Sequence, residues 1–436
     1  MSPCKGNWNR NESVRVFQNR QESEGKLMFV VALDVSMKKS YAVIYESSTC
    51  LWEGTIEHTK TDFGILLDKI QNLPRTPEVV FEATGVYSRP IEAFCQKNKL
   101  LYTLLNPLQA KKQLEEDTLR SWKTDKQDAH KLAQTHEFKK RTPKVAQEEI
   151  YQNMRDLSRF YQEVEEEIKR TRMHLHNCLQ LVFPELEQFF SSRINLYALT
   201  LISLFPHPEI VLQSTTTKIK NLLIKSTRKN ISENRARKKA EQLIFLAQDS
   251  YPAVDENSVH CQKTIYYAEK LQDLLLQKEE LQNQMTRIAK ELPEHELYLT
   301  IPGIGELTSA LLIGELGDVR RFKTSNQLNA FIGIDIRRYQ SGNYVGLDHI
   351  NKRGNPKGRK ILFFSVRNMI RQQKSAPNHI VDYYYKLKKQ PVSKKDKVAT
   401  VACMNKLLKC MHSMVRNHTR YDYAYTVSRT TNLTVV

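Results

Sequence analysis

At 436 residues the chain is longer than one hydrophobic core usually serves, which points to two or three domains. Its 67 Lys and Arg against 48 Asp and Glu leave a formal net charge of +19, so a polyanion, nucleic acid first of all, is favoured by attraction and counterion release. No apolar stretch approaches the roughly 18 residues of a membrane span and the first 26 residues lack a signal-peptide block, which argues against membrane and secreted classes and for a soluble, cytoplasmic protein. Residues 1–26 are polar without period and read as a flexible leader. Segments 29–35, 39–47 and 50–58 then read as three consecutive strands. An amphipathic helix over 62–73 opens at a Thr or Asp cap, and a Pro-bounded strand follows over 78–83. A helix over 90–99 starts at Pro90, a strand covers 101–106, and a charged connector leads to a helix bearing Asp125 and Asp128.

Three strands, helix, strand, helix, strand, helix is the ribonuclease-H order, so 27–146 is expected to form an α/β domain of that kind. Over 147–181 and again over 266–292, apolar residues recur at helical spacing among dense charges, predicting two long helices. They suit an antiparallel coiled coil, a subunit contact or a solvated spacer within a helical middle region, 147–296. Between them 218–239 holds nine basic residues and one acidic, a candidate phosphate-backbone contact or simply a solvated helix. A mainly α-helical third block, 297–375, opens with Pro302, Gly303 and Gly305, a turn resembling a helix-hairpin-helix whose backbone N–H groups suit a phosphate. Residues 376–436 read as a basic C-terminal tail.

Four acids carry the chemistry. Asp34 and Glu82 each close an apolar strand, where a lone carboxylate faces a desolvation cost unless it is paired or metal-bound, and Asp125 and Asp128 stand three apart on a helix. Strand ends in such sheets meet at one crevice. Four hard oxygens there suit Mg²⁺, with Mn²⁺ as the alternative, and two ions about 4 Å apart stabilise both attacking and leaving oxygens of a phosphoryl transfer. Lys123 and Lys126 flank the paired acids, either to meet substrate phosphates or as surface ion pairs. Ser341 is a weak nucleophile unless a base, cation or metal assists it. Arg337, Arg338, Lys352, Arg353, Lys357, Arg359 and Lys360 gather cations in its segment and read as a phosphate clamp; His349 reads as structural, or as a base if it faces the Ser341 hydroxyl. The seven cysteines form no Cys-x-x-Cys pair, neither they nor the twelve His fall at finger spacing, and they look reduced and structural.

These motifs resemble one family, the DEDD-type insertion-sequence transposases related to the Piv DNA invertases. ALDVSMKKSYAVI, FEATGVY and KTDKQDAHKLA are similar to the acidic motifs of its RuvC-like catalytic domain. IPGIGELTSALLIGELGD, FIGIDIRRYQSG and INKRGNPKGRK follow in the order of its second domain. The resemblance implies that Asp34, Glu82, Asp125 and Asp128 bind Mg²⁺ and that Ser341 is a nucleophile joined transiently to a cut DNA strand. It also implies a homo-oligomer, a dimer or tetramer, with the RuvC-like domain of one subunit meeting the serine domain of another. A structured guide RNA pairing with donor and target DNA, at a prokaryotic nucleoid, is the further implication. That role for base pairing fits a chain rich in phosphate-binding charge and without a recognisable base-reading module. The rival readings are a junction nuclease using metal-activated water, a non-catalytic nucleic-acid scaffold, and an actin-like ATPase, for which a second Gly-rich phosphate loop is missing.

Overall fold

The computed structural model describes residues 28–107, 124–138, 147–190, 195–227, 231–342, 344–389, 391 and 393–424; the whole leader, 1–26, and Lys123 lie outside them. The chain divides into two compact units, Met1–Ala146 and Gln147–Val436.

In the first unit, β1 (Phe29–Val35), β2 (Lys39–Glu46) and β3 (Thr49–Glu57) form an antiparallel meander. Helix α1 (Lys60–Gln71), β4 (Glu78–Glu82), α2 (Arg89–Lys97), β5 (Tyr102–Leu105) and α3 (Asp125–Phe138) follow. The sheet order is β3-β2-β1-β4-β5, with β4 parallel to β1 and β5 parallel to β4, the ribonuclease-H arrangement. β1 is apolar on both faces because both are covered. Val31, Leu33 and Val35 pack with Leu66, Ile70, Ile91 and Phe94 from α1 and α2, whereas Val30 and Ala32 pack with Ala129, Leu132 and Ala133 of α3. α1 starts where Thr59 Oγ1 accepts the Asp62 N–H at 3.2 Å and Asp62 in turn accepts the Glu57 N–H at 2.8 Å. Two orphan donors are thereby satisfied.

The second unit is mostly helical. α4 (Glu149–Val182) is followed by α5 (Leu186–Phe189), α6 (Leu196–Leu204), α7 (Pro208–Leu212), α8 (Thr216–Lys225), α9 (Glu233–Asp249) and α10 (Val259–Ala289). α4 and α10 lie antiparallel: His174 stacks on Tyr267, Lys270 bridges Glu167 at 2.7 Å, and Lys278 bridges Glu165 at 2.8 Å, so one chain number rises as the other falls. Of the basic segment, the described residues include most of α8 and the start of α9, where Lys220 meets Glu233 at 3.4 Å and Lys239 lies 5.3 Å from the Phe189 ring.

α11 (Pro293–Leu299) and α12 (Glu306–Leu316) flank the Gly-containing turn, and α13 (Ser325–Ile332) follows. α12 is apolar around most of its surface because α4, α10 and α11 enclose it. At Gly314 the backbone of α4 comes so close that a Cβ would meet the Met154 carbonyl oxygen at 2.7 Å. Four short strands, β6 (Ile336–Arg337), β7 (Gln340–Ser341), β8 (Tyr344–Val345) and β9 (His349–Ile350), precede α14 (Pro356–Arg371), α15 (His379–Lys388) and α16 (Asp396–Asn417). Among the described residues, the segment read as a basic tail holds two helices. Cys403, Leu407, Leu408, Met411 and Val415 of α16 are buried in the core, while Lys397 and Lys409 are exposed and Lys406 is half-buried, donating to the His379 carbonyl at 3.3 Å.

Two outcomes test this packing. Gly314→Ala should destabilise the fold by about 1–3 kcal/mol through overpacking, whereas Gly64→Ala, in a helix with nothing within 4 Å of its missing Cβ, should gain about 0.5–1 kcal/mol; chemical denaturation measures both. His379 stacks on Tyr421, with Nδ1 2.7 Å from the phenol oxygen, and burial reinforced by Lys406 pushes its pKa down to about 4 against the opposing pull of Asp382. The unfolded ring takes up a proton first, so this contribution is whole above pH ~6.5 and is lost as pH falls towards 4. A melting-temperature profile should decline across that window and flatten in His379→Gln.

Candidate active site

The placement of the acids follows from register. β1 and β4 pair in parallel from Val30 with Glu78 to Leu33 with Phe81, so Asp34 and Glu82 come next, side by side, at the carboxyl ends of adjacent strands. Alternation puts Asp34 on the face of Val30 and Ala32, and Glu82 on that of Val80, the face covered by α3. Direction is set at the other end of α3, where buried His136 Nε2 meets Glu78 Oε2 at 2.9 Å. Glu78 to Glu82 spans about 13 Å of strand and Asp128 to His136 about 12 Å of helix, which brings Asp128 level with Glu82 and Asp125 to the next turn. Asp125, Asp128, Ala129 and Leu132 share a helical face at i, i+3, i+4 and i+7, and the last two are buried on the sheet.

Register thus sets Asp34, Glu82 and Asp128 near one level of one sheet face, with Asp125 one helical turn beyond. Their donor set is hard oxygen only, which fits Mg²⁺ or Mn²⁺. Among the described residues, however, the group whose three ligand atoms lie within 4.8 Å of one another is not the quartet but Cys50, Glu53 and His130. Lys126 is drawn to that side as well. Its ammonium pairs with Glu53, whose carboxyl is held below its usual range by that hydrogen bond, so the residue is engaged in an ion pair within the protein. Sequence reasoning missed Glu53, whose only signal was a charge within an edge strand.

Ser341 belongs to the second unit. It sits in a two-storey hairpin: Ile336 and Arg337 pair with Ile350 and His349, and further out Gln340 and Ser341 pair with Val345 and Tyr344. Gly342, at φ +55°, follows Ser341 at the tip. Ser341, Tyr339, Tyr344, Val345 and Leu347 are exposed, Leu347 by 83%. His349 stands opposite Arg337 in the inner ladder, and among the described residues no hydrogen bond joins it to Ser341. Arg337, Lys352, Arg353 and Lys360 are exposed, Lys352 in the left-handed region at φ +58°. Arg338 reaches Asp348 at 3.3 Å, and Lys357 and Lys360 lie 3.9 Å from Glu163 and Glu166.

The base of this arm is built by residues that composition reads as phosphate contacts. Arg359 donates from Nη1 to the Ile332 carbonyl at 2.8 Å, capping the end of α13, and its burial lowers the guanidinium pKa. That contact is a structural use of the side chain. Gly333, at φ +77°, ends α13 against Gly354, where a Cβ would meet the Phe331 carbonyl oxygen at 2.3 Å. Asn355 caps α14 by accepting the Lys357 and Gly358 N–H groups at 3.1 Å each, and its Nδ2 donates to the buried Glu315 carboxylate at 2.6 Å. Glu315 also accepts from Gln162 Nε2 at 3.2 Å. At the predicted helix-hairpin-helix turn, Gly303 is pressed against Met369 and its carbonyl accepts from Asn368 Nδ2 at 2.8 Å, while Gly305 is the exposed N-cap of α12.

Comparison with known proteins finds two separate matches, the first running beyond the first unit through α4. Residues 31–184 match a family of DEDD transposases of the IS110 type, described as "Transposase". Residues 295–381 match the "Transposase IS116/IS110/IS902 family". The chain is similar to the transposase for insertion sequence element IS1111A of Coxiella burnetii, 35% identical over 94 residues, 22% of this chain and 26% of that protein. It is also similar to the transposase for IS1328 of Yersinia enterocolitica, 35% identical over 91 residues, 19% of this chain and 27% of that protein. An uncharacterized 43.6 kDa protein of insertion element IS110 in Streptomyces coelicolor is 24% identical over 254 residues, 56% of this chain and 60% of that protein. The chain thus spans about a quarter of the length of the first two relatives and three-fifths of the third.

Asn355→Ala should cost about 1–3 kcal/mol, since it removes a cap and takes the Asn355 donor from Glu315 Oε2, leaving only the Gln162 contact on the other oxygen. Asn355→Asp keeps the cap but sets a second carboxylate against Glu315; a variant as stable as the parent by thermal unfolding would show that the Glu315 contact does not matter.

Proposed function

Because this chain belongs to the DEDD transposases of the IS110 family, we infer that it cuts and rejoins DNA strands to move an insertion sequence, with a serine as nucleophile. The observation that supports this reading is the register that sets Asp34 beside Glu82 at the carboxyl ends of β1 and β4, on the sheet face covered by the helix that bears Asp125 and Asp128. These four would hold Mg²⁺ or Mn²⁺, which when bound neutralises charge on the scissile phosphate. The Ser341 hydroxyl attacks phosphorus, so the serine O–P bond forms as the deoxyribose O–P bond breaks, and the serine proton passes to the departing deoxyribose oxygen. A second deoxyribose hydroxyl then displaces the serine and restores DNA. Since the phosphodiester bond energy is retained in the phosphoserine link, no nucleotide triphosphate is needed.

The hairpin supports this role by presenting Ser341 with exposed apolar neighbours, Tyr339, Tyr344, Val345 and Leu347, which a second subunit would cover. The active form is therefore a homo-oligomer in which one subunit's arm enters another's acidic face. Arg337, Lys352, Arg353 and Lys360 remain at the surface for phosphates. Among the described residues no base-reading module stands out, and a structured guide RNA supplying sequence by pairing fits that surface.

The test is strand cleavage of element-end DNA with Mg²⁺ and the element's flanking RNA. Parent protein should leave a covalent protein–DNA adduct, lost in Ser341→Ala. Cleavage itself should fall by about 10²–10³-fold in Asp34→Ala and Asp125→Ala, the scale of removing one main transition-state stabiliser. Cleavage persisting without adduct in Ser341→Ala would establish the water-using nuclease instead.

A further inference from the structure

Helix α3 turns a second set of side chains towards the sheet's edge. In the β2–β3 ladder Tyr45 pairs with Cys50 and Ile44 with Trp52, leaving Leu51 as a bulge. That extra residue resets the alternation, so Cys50 opposite Tyr45 and Glu53 opposite Val43 both face α3, although an odd spacing would otherwise part them. The Cys50 sulfur, a Glu53 oxygen and a His130 nitrogen all lie within 4.8 Å of one another.

We propose that Cys50, Glu53 and His130 form a second, chemically distinct metal site, selective for a thiophilic divalent ion such as Zn²⁺. Sulfur, imidazole nitrogen and one carboxylate oxygen make a donor set that zinc accepts with water as fourth ligand, and that Mg²⁺ does not compete for. His130 is already oriented: its Nδ1 lies 2.8 Å from the hydroxyl of buried Tyr45, and its Nε2 points at Glu53, 2.7 Å away. An outer partner fixing the far ring nitrogen is how metal-binding imidazoles are commonly held. The cation now facing Glu53 is the Lys126 ammonium. A metal ion and Lys126 are thus alternative counter-charges for one carboxylate, and binding displaces the lysine.

The position gives the site a consequence. It joins the edge strand β3 to α3, the helix that carries Asp125 and Asp128, opposite the Glu78–His136 contact at the other end of that helix. An ion here fixes α3 on the sheet from a second side. The inference stands independently of the transposition chemistry, because it concerns residues outside the quartet and is read without activity.

Cobalt(II) titrated into the reduced full-length chain is the probe, since a sulfur-to-cobalt charge-transfer band requires thiolate ligation and carboxylates alone cannot produce it. The band should saturate at one equivalent and bleach on adding Zn²⁺. Cys50→Ser should abolish it, His130→Ala should weaken binding by at least about tenfold, and Lys126→Ala should tighten it by removing the competitor. Cys50 is exposed and its replacement by serine leaves the core untouched, with circular dichroism to check the fold. Absence of a band in the parent, or its survival in Cys50→Ser, overturns the proposal, as does weaker binding in Lys126→Ala.

Discussion

The arrangement of the first unit depends on one constraint, the direction in which α3 lies across the sheet. Ala129, Leu132 and Ala133 fill the apolar face beneath, but small and aliphatic residues alone would tolerate a reversed or rotated helix. Polar contacts remove that freedom. His136 on Glu78 holds the end of the helix at the start of β4, and His130 between Tyr45 and Glu53 holds its middle at the opposite edge. The first turn, with Asp125 and Asp128, is thereby carried to the strand ends where Asp34 and Glu82 stand. Reversing α3 would leave the two pairs of acids at opposite ends of the sheet.

The second unit solves a related problem by other means. A hairpin whose apolar residues face solvent needs a rigid base, and here the base is made of close backbone contacts and buried polar pairs. Gly333 against Gly354 allows the chain to leave and return at one point. Asn355 links the start of α14 to Glu315 in α12, and Glu315 links to Gln162 in α4. A buried carboxylate is tolerable because both oxygens receive donors. The exposed serine thus stands on a base in which hydrogen bonds through Glu315 link α4, α12 and the start of α14.

Much of the first unit was legible in the sequence because β1, β2 and β4 alternate or run apolar between turn residues, and because α1 and α2 open on a Thr cap and a Pro. Asp34 and Glu82 were visible for the same reason, since a charge ending a buried strand has few innocent explanations, and Asp125 and Asp128 by their spacing of three on a helix. The fate of the cations was less legible. Lys126 and Arg359 look like any basic side chain near a catalytic motif, yet one pairs with Glu53 and the other with a helix-terminal carbonyl. Their partners lie 73 and 27 residues away, and no local pattern encodes that. The helix over Asp396–Asn417 was missed for a different reason. Its buried stripe, Ala399, Cys403, Leu407, Met411 and Val415, has helical spacing, but small and sulfur-containing residues among lysines weaken the apolar signal.

Periodicity and chain order in the sequence determined which segments are strands and helices, that Asp34 and Glu82 close strands while Asp125 and Asp128 share a helix, and that the chain's charge favours a polyanion. These are local or summed properties, settled by neighbours within one turn or by total charge. Tertiary structure alone decided that β4 pairs with β1 in the register setting Asp34 beside Glu82, that α3 runs against the strands, and that a bulge at Leu51 turns Cys50 and Glu53 towards His130. Each of those depends on free-energy differences between alternative long-range pairings, which a one-dimensional pattern leaves degenerate until the core is assembled.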